Sequence, residues 1–178
     1  MRKLILLVAV VTLGALGSSG VSLADHTSAD HTVDILGGTT ITPGESIQNN
    51  WRFEPRDIEV NPGDTVAWHS AAEEAAPHTV TLVRRSKLPQ DLAEMEECYA
   101  PGEPCARALS RHGNRQNRKI IVEDDQDNER GLDEPRDSRW IKANETFTAR
   151  ISADEGRTLY YLCALHPWMQ GSIDVVAP

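Results

Sequence analysis

Apolar and polar residues alternate in short runs along most of this chain. Between Trp51 and Val60 the apolar side chains Phe53 and Ile58 are separated by polar ones, and the turn-forming sequence 61–64 follows. This pattern predicts half-buried β-strands joined by turns. Comparable runs occur at Val33–Leu36, Thr65–His69, His78–Val83, Lys119–Val122, Glu145–Ile151, Arg157–Leu165 and Ser172–Val176. Many short strands separated by turns predict an all-β domain, either a sandwich or a barrel.

One stretch, at about residues 84–137, departs from this pattern because it is highly charged and poor in strand-forming runs. We interpret it as an insertion into a single domain that spans residues 25–178. Within it, Asp91–Tyr99 has the composition of a short helix and Asp124–Asp137 that of an acidic loop. A segment of this length with at most one strand is expected to have some ordered structure of its own.

The first residues, 1–24, have the features of a secretory signal peptide. Arg2 and Lys3 precede an apolar run, Leu4–Leu16, and the small residues Ser22 and Ala24 suit a cleavage site after residue 24. The alternative is a membrane anchor, but the run is about a dozen residues long, whereas a membrane-spanning helix needs roughly 20. No later segment is apolar enough to span a membrane. We therefore predict a periplasmic or secreted protein.

The chain is acidic, with a formal net charge of −9 at pH 7. Loss of residues 1–24, which contain two basic and no acidic residues, takes this charge to −11. A surface this acidic repels nucleic acid and anionic membranes, so neither is an expected partner. It favours basic protein partners, or it simply keeps the protein in solution.

Three cysteines are an odd number for an exported chain, in which disulfides form readily. Cys98 and Cys105 lie seven residues apart, with the turn-forming pair Pro101-Gly102 between them. A disulfide between these two cysteines is therefore plausible. It leaves Cys163 unpaired, and an unpaired thiol in this setting needs a chemical reason.

The residues after Cys163 supply such a reason. Cys163, His166 and Met169 place a thiolate, an imidazole and a thioether within seven residues. Soft sulfur stabilises Cu(I), and a trigonal set of two histidines and one cysteine with a weak axial methionine is the blue-copper arrangement. The set needs a second histidine. His78 begins a strand directly after a loop and is a better candidate than His69, which lies within an apolar strand.

These residues and their surroundings resemble a known family. Cys163, His166 and Met169, followed by Gly171, are similar to the copper loop of amicyanin and pseudoazurin, which are plastocyanin-like cupredoxins or type 1 copper proteins. Three further segments are similar to the family's sequence around its first copper ligand: Phe53–Pro55, Ile58–Trp68 and Pro77–Val80. The resemblance covers about residues 51–83 and 138–178 and does not include 84–137.

The resemblance implies a Greek-key β-sandwich that binds one copper ion as a one-electron carrier and is not an enzyme. The implied copper ligands are His78, Cys163, His166 and Met169. Donor and acceptor redox proteins would dock near His166, where Pro167 and Trp168 would form a small apolar face. We expect the protein to be a monomer.

Two other classes of function are alternatives to the electron carrier. A copper-storage or copper-delivery protein could use the same sulfur ligands, although such sites usually lack a closed cage of four ligands. An enzyme such as a multicopper oxidase or a nitrite reductase needs a second copper centre and more than one domain. The six histidines and the length of this chain argue against such an enzyme.

Two residues depart from the family's pattern. The residue after the first histidine ligand is often asparagine and braces the ligand loop, whereas here it is Thr79. The residue after the cysteine is often serine or threonine, whereas here it is Ala164. The bridge between these two side chains is therefore expected to be missing or replaced. Hydrogen bonds around the ligands tune a metal site, so this departure bears on the potential and on loop rigidity.

Other polar residues lead to weaker hypotheses. His26, His31 and His112 lie in polar sequence and are expected to be solvated. Basic residues recur every four positions in the insertion, at Arg107, Arg111, Arg115 and Lys119, with Arg118 beside them. On a helix this spacing forms one stripe. The stripe either pairs with the acidic run 123–127 or forms a docking patch for an anionic partner.

Overall fold

The computed structural model describes residues 29–70, 76–114, 119–121, 123–124 and 131–178. The predicted signal peptide lies outside these residues. Within them, no helix is long and apolar enough to cross a bilayer. The described helices are α1 (Leu92–Glu97) and α2 (Pro104–His112), preceded by a 3-10 turn at Arg85–Lys87. In chain order the strands are β1 (His31–Leu36), β2 (Thr39–Thr42), β3 (Ser46–Asn49), β4 (Arg52–Glu54), β5 (Asp57–Val60), β6 (Thr65–Ser70), β7 (His78–Val83), β8 (Gly113–Asn114), β9 (Lys119–Ile120), β10 (Glu123–Asp124), β11 (Ser138–Ile141), β12 (Thr146–Arg150), β13 (Thr158–Cys163) and β14 (His166–Val175).

Two sheets enclose one hydrophobic core. One sheet has the strand order β12-β6-β1-β4, and the other has the order β10-β11-β7-β13-β14-β5. The pairs β1–β6 and β5–β14 are parallel, and the remaining neighbours in these sheets are antiparallel. Some strands that follow one another in the chain, such as β4 and β5, lie in different sheets. The predicted Greek-key β-sandwich is therefore confirmed.

The core is aromatic at its centre. Trp68 and Tyr161 are fully buried, and the Tyr161 ring meets the rings of Phe53 and Trp68 edge-on at centroid distances of 5.0 and 6.1 Å. Burial of side chains of this size stabilises a fold by roughly 2 kcal/mol each. Along β14 every second residue from Pro167 to Val175 is buried, as expected for a pleated strand with one face on the core.

The alternating runs correctly predicted the positions of most of the strands, with three main changes of boundary. The predicted strand from Trp51 to Val60 is two strands, β4 and β5, one in each sheet. The predicted strand 172–176 is the second half of β14, which begins at His166. The predicted strand Lys119–Val122 is reduced to β9, and Val122 lies outside the described residues.

Two strand regions were not predicted from the sequence, for different physical reasons. Strands β2 and β3 form a hairpin with no buried side chain, so no apolar alternation marks them. Strand β11 is buried but polar, because it carries Ser138 and Arg139 in the interior. Hydrogen bonds make this burial possible, and one of them joins Arg139 Nη2 to the Gly131 carbonyl oxygen at 2.7 Å.

The inserted segment is more ordered than its sequence suggested. Helix α1 fills most of the predicted helix, and Asp91 caps it by accepting a hydrogen bond from the backbone N–H of Glu94. Helix α2 and the two-residue strands β8 and β10 were not predicted, and together with β9 they show that the expectation of at most one strand was wrong. The Cys98–Cys105 disulfide is confirmed, and both of its cysteines are buried. Closure of a loop this short contributes about 2 kcal/mol.

The basic residues of the insertion do not form one helical stripe. Helix α2 ends at His112, and β8 and β9 then pair as a hairpin, so the helix that a single stripe would need does not extend from residue 107 to residue 119. Arg107 and Arg111 lie on α2, and the Arg107 guanidinium donates to the Gly102 carbonyl oxygen at 2.6 Å. Lys119 lies on β9, whereas Arg115, Arg118 and residues 125–127 of the acidic run lie outside the described residues.

Candidate metal centre

Three strands bring predicted ligands to one end of the sandwich. His78 is the first residue of β7, Cys163 is the last of β13, and His166 is the first of β14. Strand β13 runs antiparallel to both β7 and β14. The end of β13 therefore lies beside the starts of its two neighbours. Sheet pairing thus makes neighbours of His78 and Cys163, which are 85 positions apart in the sequence.

The three donor atoms are spaced as a metal site requires. Cys163 Sγ lies 3.9 Å from His78 Nδ1 and 3.6 Å from His166 Nδ1, and the three ligand atoms lie within 4.8 Å of one another. Bonds of about 2.3 Å to sulfur and about 2.0 Å to nitrogen, typical of zinc, would at an angle of about 120° separate S and N by roughly 3.7 Å. The observed distances bracket that value, so one small ion would fit between the three atoms.

Met169 lies in the hydrophobic interior. It is 1% exposed and belongs to the same hydrophobic cluster as Cys163. A register shift between Leu162 and Cys163 marks the tight connection from β13 to β14, which carries the last three predicted ligands. A buried thioether is chemically suited to the weak axial position of a copper site.

An aromatic wall covers the two imidazoles, and the sequence did not reveal it. Trp51 is 3% exposed; its ring stacks on His166 at a centroid distance of 5.9 Å and meets His78 edge-on at 4.8 Å. Trp168 is half-buried, and the centroid of its ring lies 5.3 Å from that of His166. Pro167 is buried and cannot form the exposed face expected of it. The single sequence signal for Trp51 was its place just before Phe53 in the segment that resembles the family.

Burial favours the neutral form of each titratable ligand. Burial, followed by the nearby His166, lowers the pKa of His78 from 6.5 to about 4, and burial also lowers the pKa of His166. Burial raises the pKa of the Cys163 thiol, although hydrogen bonds from Thr79, Leu165 and His166 oppose this effect. The buried Nε2 atom of His78 has no hydrogen-bond partner among the described residues. Two neutral imidazoles beside a thiol are ready to bind a metal, which needs to displace only the thiol proton.

Thr79 replaces the brace that asparagine supplies in the family. Its backbone N–H donates to Cys163 Sγ at 3.3 Å, and its Oγ1 accepts a hydrogen bond from the Ala164 N–H at 2.7 Å. The second bond ends on backbone, so the methyl side chain of Ala164 does not prevent it. The bridge between the residues that follow His78 and Cys163 is therefore replaced and not missing, which is one of the two alternatives expected from the sequence.

The insertion packs against the outer side of the ligand loop. The disulfide forms a buried cluster with the residues on either side of Cys163, Leu162 and Ala164. The Tyr99 hydroxyl donates to the Leu165 carbonyl oxygen at 3.0 Å. The Gln170 side chain donates to the carbonyl oxygens of Pro89 at 2.7 Å and Pro167 at 3.0 Å. The segment without family resemblance thus holds the loop that carries three of the predicted ligands.

The other histidines that the structure describes are not part of this group of donor atoms. His69 is exposed and contacts Asp34 at 3.2 Å, so the preference for His78 over His69 agrees with the geometry. His31 contacts Asp64 at 3.0 Å and is only partly exposed, and His26 lies outside the described residues. The expectation that His112 is solvated was wrong, because it is fully buried between α2 and β11.

The lowered pKa of His78 predicts that the metal-free protein loses stability in mild acid. Between pH 6.5 and pH 4 the unfolded chain protonates this histidine and the folded chain does not, so the free energy of unfolding falls as the pH falls. The full shift corresponds to about 3 kcal/mol. Urea unfolding of the metal-free protein at a series of pH values measures it.

A matched variant isolates this contribution from those of other groups. His78→Gln removes this titrating ring and should reduce the slope between pH 6.5 and pH 4, leaving the part that the lowered pKa of His166 contributes. Hydrogen bonds lower the pKa of Asp30 and Asp64, so these carboxylates act at the acid end, below their ordinary pKa of 3.8. An equally steep loss of stability in His78→Gln would contradict the assignment to His78.

Comparisons with known proteins bear on the fold. No protein-family model and no curated protein sequence matches the chain. Among solved structures it is similar to a purple cupredoxin from Nitrosopumilus maritimus, with 17% identity, a TM-score of 0.42 and coverage of 82% of this chain and 99% of that one. It is also similar to auracyanin A, a blue copper protein from Chloroflexus aurantiacus (21%, 0.39, 81% and 98%), and to a copper(I) form of an amicyanin variant (17%, 0.40, 85% and 87%). Similarity at these levels of sequence identity concerns the fold alone.

Proposed function

We propose that this protein is a one-electron carrier with a single type 1 copper centre, in which His78, Cys163, His166 and Met169 are the ligands. One observation carries the proposal, namely the arrangement of two Nδ1 atoms 3.9 and 3.6 Å from one buried cysteine sulfur. Two imidazoles, one thiolate and a buried thioether are the donor set that favours copper over harder metals. Bound copper would supply the one-electron couple between Cu(I) and Cu(II).

The surrounding residues suit electron transfer because they limit movement of the ligands. His78 and Cys163 are fully buried in paired strands, and the Thr79 bonds to Cys163 and Ala164 tie the two strands together at the site. A site whose geometry changes little between two oxidation states has a small reorganisation energy for electron transfer. With four protein ligands no position remains for a substrate, so the proposal is a carrier and not an enzyme.

We place the route of the electron at His166. This residue is half-buried, and its ring contacts the rings of Trp51 and Trp168 at centroid distances of 5.9 and 5.3 Å. Half-buried Leu165 and Trp168 flank it and would form the apolar surface on which donor and acceptor proteins dock. The net charge of −9 favours basic surfaces on those partners. We further propose that the protein is exported, that residues 1–24 are removed on the way, and that it acts as a monomer in the periplasm or outside the cell.

The visible spectrum of the copper-loaded protein tests this function. One equivalent of copper(II) added to the metal-free protein should produce an intense blue, green or purple band from charge transfer between thiolate and copper. A one-electron reductant should bleach the band, and an oxidant should restore it. A protein that holds copper only as colourless Cu(I) would instead be a storage or delivery protein, and the electron-carrier proposal would be wrong.

A further inference from the structure

A chain of buried hydrogen bonds runs from the insertion to the ligand loop. Its successive members are His112 of α2, Ser138 of β11, Thr81 and Thr79 of β7, and the backbone N–H of Ala164. The distances along it, from His112 Nε2 to the Ala164 nitrogen, are 2.7, 2.8, 3.0 and 2.7 Å. The four side chains are at most 2% exposed, so water does not compete for these bonds.

The two ends of the chain set the direction of every bond in it. The Ala164 N–H can only donate, so Thr79 Oγ1 accepts from it. At the other end the Ile121 carbonyl can only accept, so His112 Nδ1 carries a proton. In the neutral imidazole, Nε2 then offers its lone pair to Ser138. Each of the three hydroxyls accepts one bond and donates one toward the histidine, and bonds aligned in this way polarise one another.

This direction matters because the Thr79 hydroxyl has a single proton, which it gives to Thr81. The backbone N–H of Thr79 donates to the buried sulfur of Cys163, and its Oγ1 accepts from the N–H of the next residue, Ala164, so the hydroxyl lies beside that cysteine. A proton donated to Thr81 is not available to the sulfur. A hydrogen bond to a ligating thiolate withdraws electron density from it, weakens its donation to the metal and so favours the reduced state.

We propose that His112, Ser138 and Thr81 form a relay that withholds the Thr79 hydroxyl proton from the Cys163 thiolate and so sets the donor strength of that ligand. The inference rests on the proposed function, since it describes how a residue of the insertion acts on the copper ligand. His112, Ser138 and Thr81 are positioning residues that touch no ligand themselves. Helix α2, anchored near its start by the disulfide at Cys105, holds the histidine in place.

The relay is tested by Thr81→Val, which replaces the hydroxyl with a methyl group of similar size. The Thr79 proton then turns to the thiolate, so the reduction potential of the copper protein should rise and the thiolate-to-copper band should move to shorter wavelength. Ser138→Ala interrupts the same chain one residue further on and should shift both quantities in the same direction. It therefore keeps the test decisive if Thr81→Val fails to fold.

Thr81→Ser is the matched control, because it retains the hydroxyl and should keep both the wild-type potential and the wild-type band. A purely structural role for Thr81 would weaken the fold without moving the band in one direction. An unchanged potential and band in folded Thr81→Val, or a fall in its potential, would overturn the relay.

A second measurement needs no copper. In the metal-free protein, the Ala164 amide proton should resonate upfield in Thr81→Val relative to the wild type and Thr81→Ser. The reason is that Thr79 Oγ1 becomes a weaker acceptor once it no longer donates its own proton to Thr81. If the wild type shows no coloured band with copper, the proposed function fails, and this resonance still decides the relay. An unmoved Ala164 resonance in Thr81→Val would exclude it.

Discussion

Replacement of Cys163 by serine is expected to abolish the visible colour of the copper-loaded protein. The colour of a type 1 site comes from the thiolate, and a serine hydroxyl is a hard oxygen donor that stays protonated near neutral pH. Cys163 is fully buried, and its sulfur already accepts a hydrogen bond from the Thr79 N–H. A serine oxygen can accept the same bond, so the variant should fold. Loss of colour would then report on ligation and not on unfolding.

The contrast with Met169→Leu sharpens this test. Leucine preserves the buried apolar volume but removes the weak axial donor, so the protein should keep copper and keep an intense band while its potential rises. Absorption spectra of both variants, with copper content measured in the same samples, compare the two roles. Colour retained in Cys163→Ser would refute the ligand assignment. Loss of colour in Met169→Leu with copper still bound would refute the assignment of Met169 to a weak axial position.

The candidate site was largely predictable because its chemistry is local in the sequence. Cys163, His166 and Met169 lie on one connection between two strands, and few combinations of residue types carry both soft sulfur and imidazole so close together. His78 required a further step, from a strand start after a loop to a position beside the end of β13. That step succeeded because β7, which is buried along its whole length, lies inside the sheet and pairs antiparallel with β13.

The parts that escaped prediction depend on contacts between distant residues. His112 has polar neighbours in the sequence and was expected in water, yet in the fold it lies against β11 and bonds to Ser138, 26 positions away. The aromatic wall could not be predicted for the same reason, since nothing in the composition around Trp51 shows which rings this side chain covers in the fold. Periodicity detects a side chain that faces the core, but it does not detect buried polar groups that satisfy one another.

Substitution of Gly171 by alanine is expected to lower the free energy of unfolding by about 3 kcal/mol, at the upper end for an overpacked core. Gly171 lies opposite Tyr161 in the β13–β14 pair. A Cβ atom at this position would come closer than 3.0 Å to the Tyr161 ring and to the backbone oxygen of Arg56. The tyrosine is fully buried against Phe53 and Trp68, so its ring cannot move away without disturbing the core.

The backbone side of Gly171 is equally fixed, because the Arg56 carbonyl oxygen accepts a hydrogen bond from the Ser172 N–H at 3.1 Å. Relief of the clash therefore requires displacement of β14, the strand that also carries His166 and Met169, so copper affinity should fall together with stability. Denaturant unfolding of the metal-free variant and copper titration measure the two losses. Gly156→Ala is the control, since its Cβ meets nothing within 4 Å and only its positive φ of 79° opposes the change, at about 1 kcal/mol. Equal losses in the two variants would show that close packing against Tyr161 is not what requires glycine after the ligand loop.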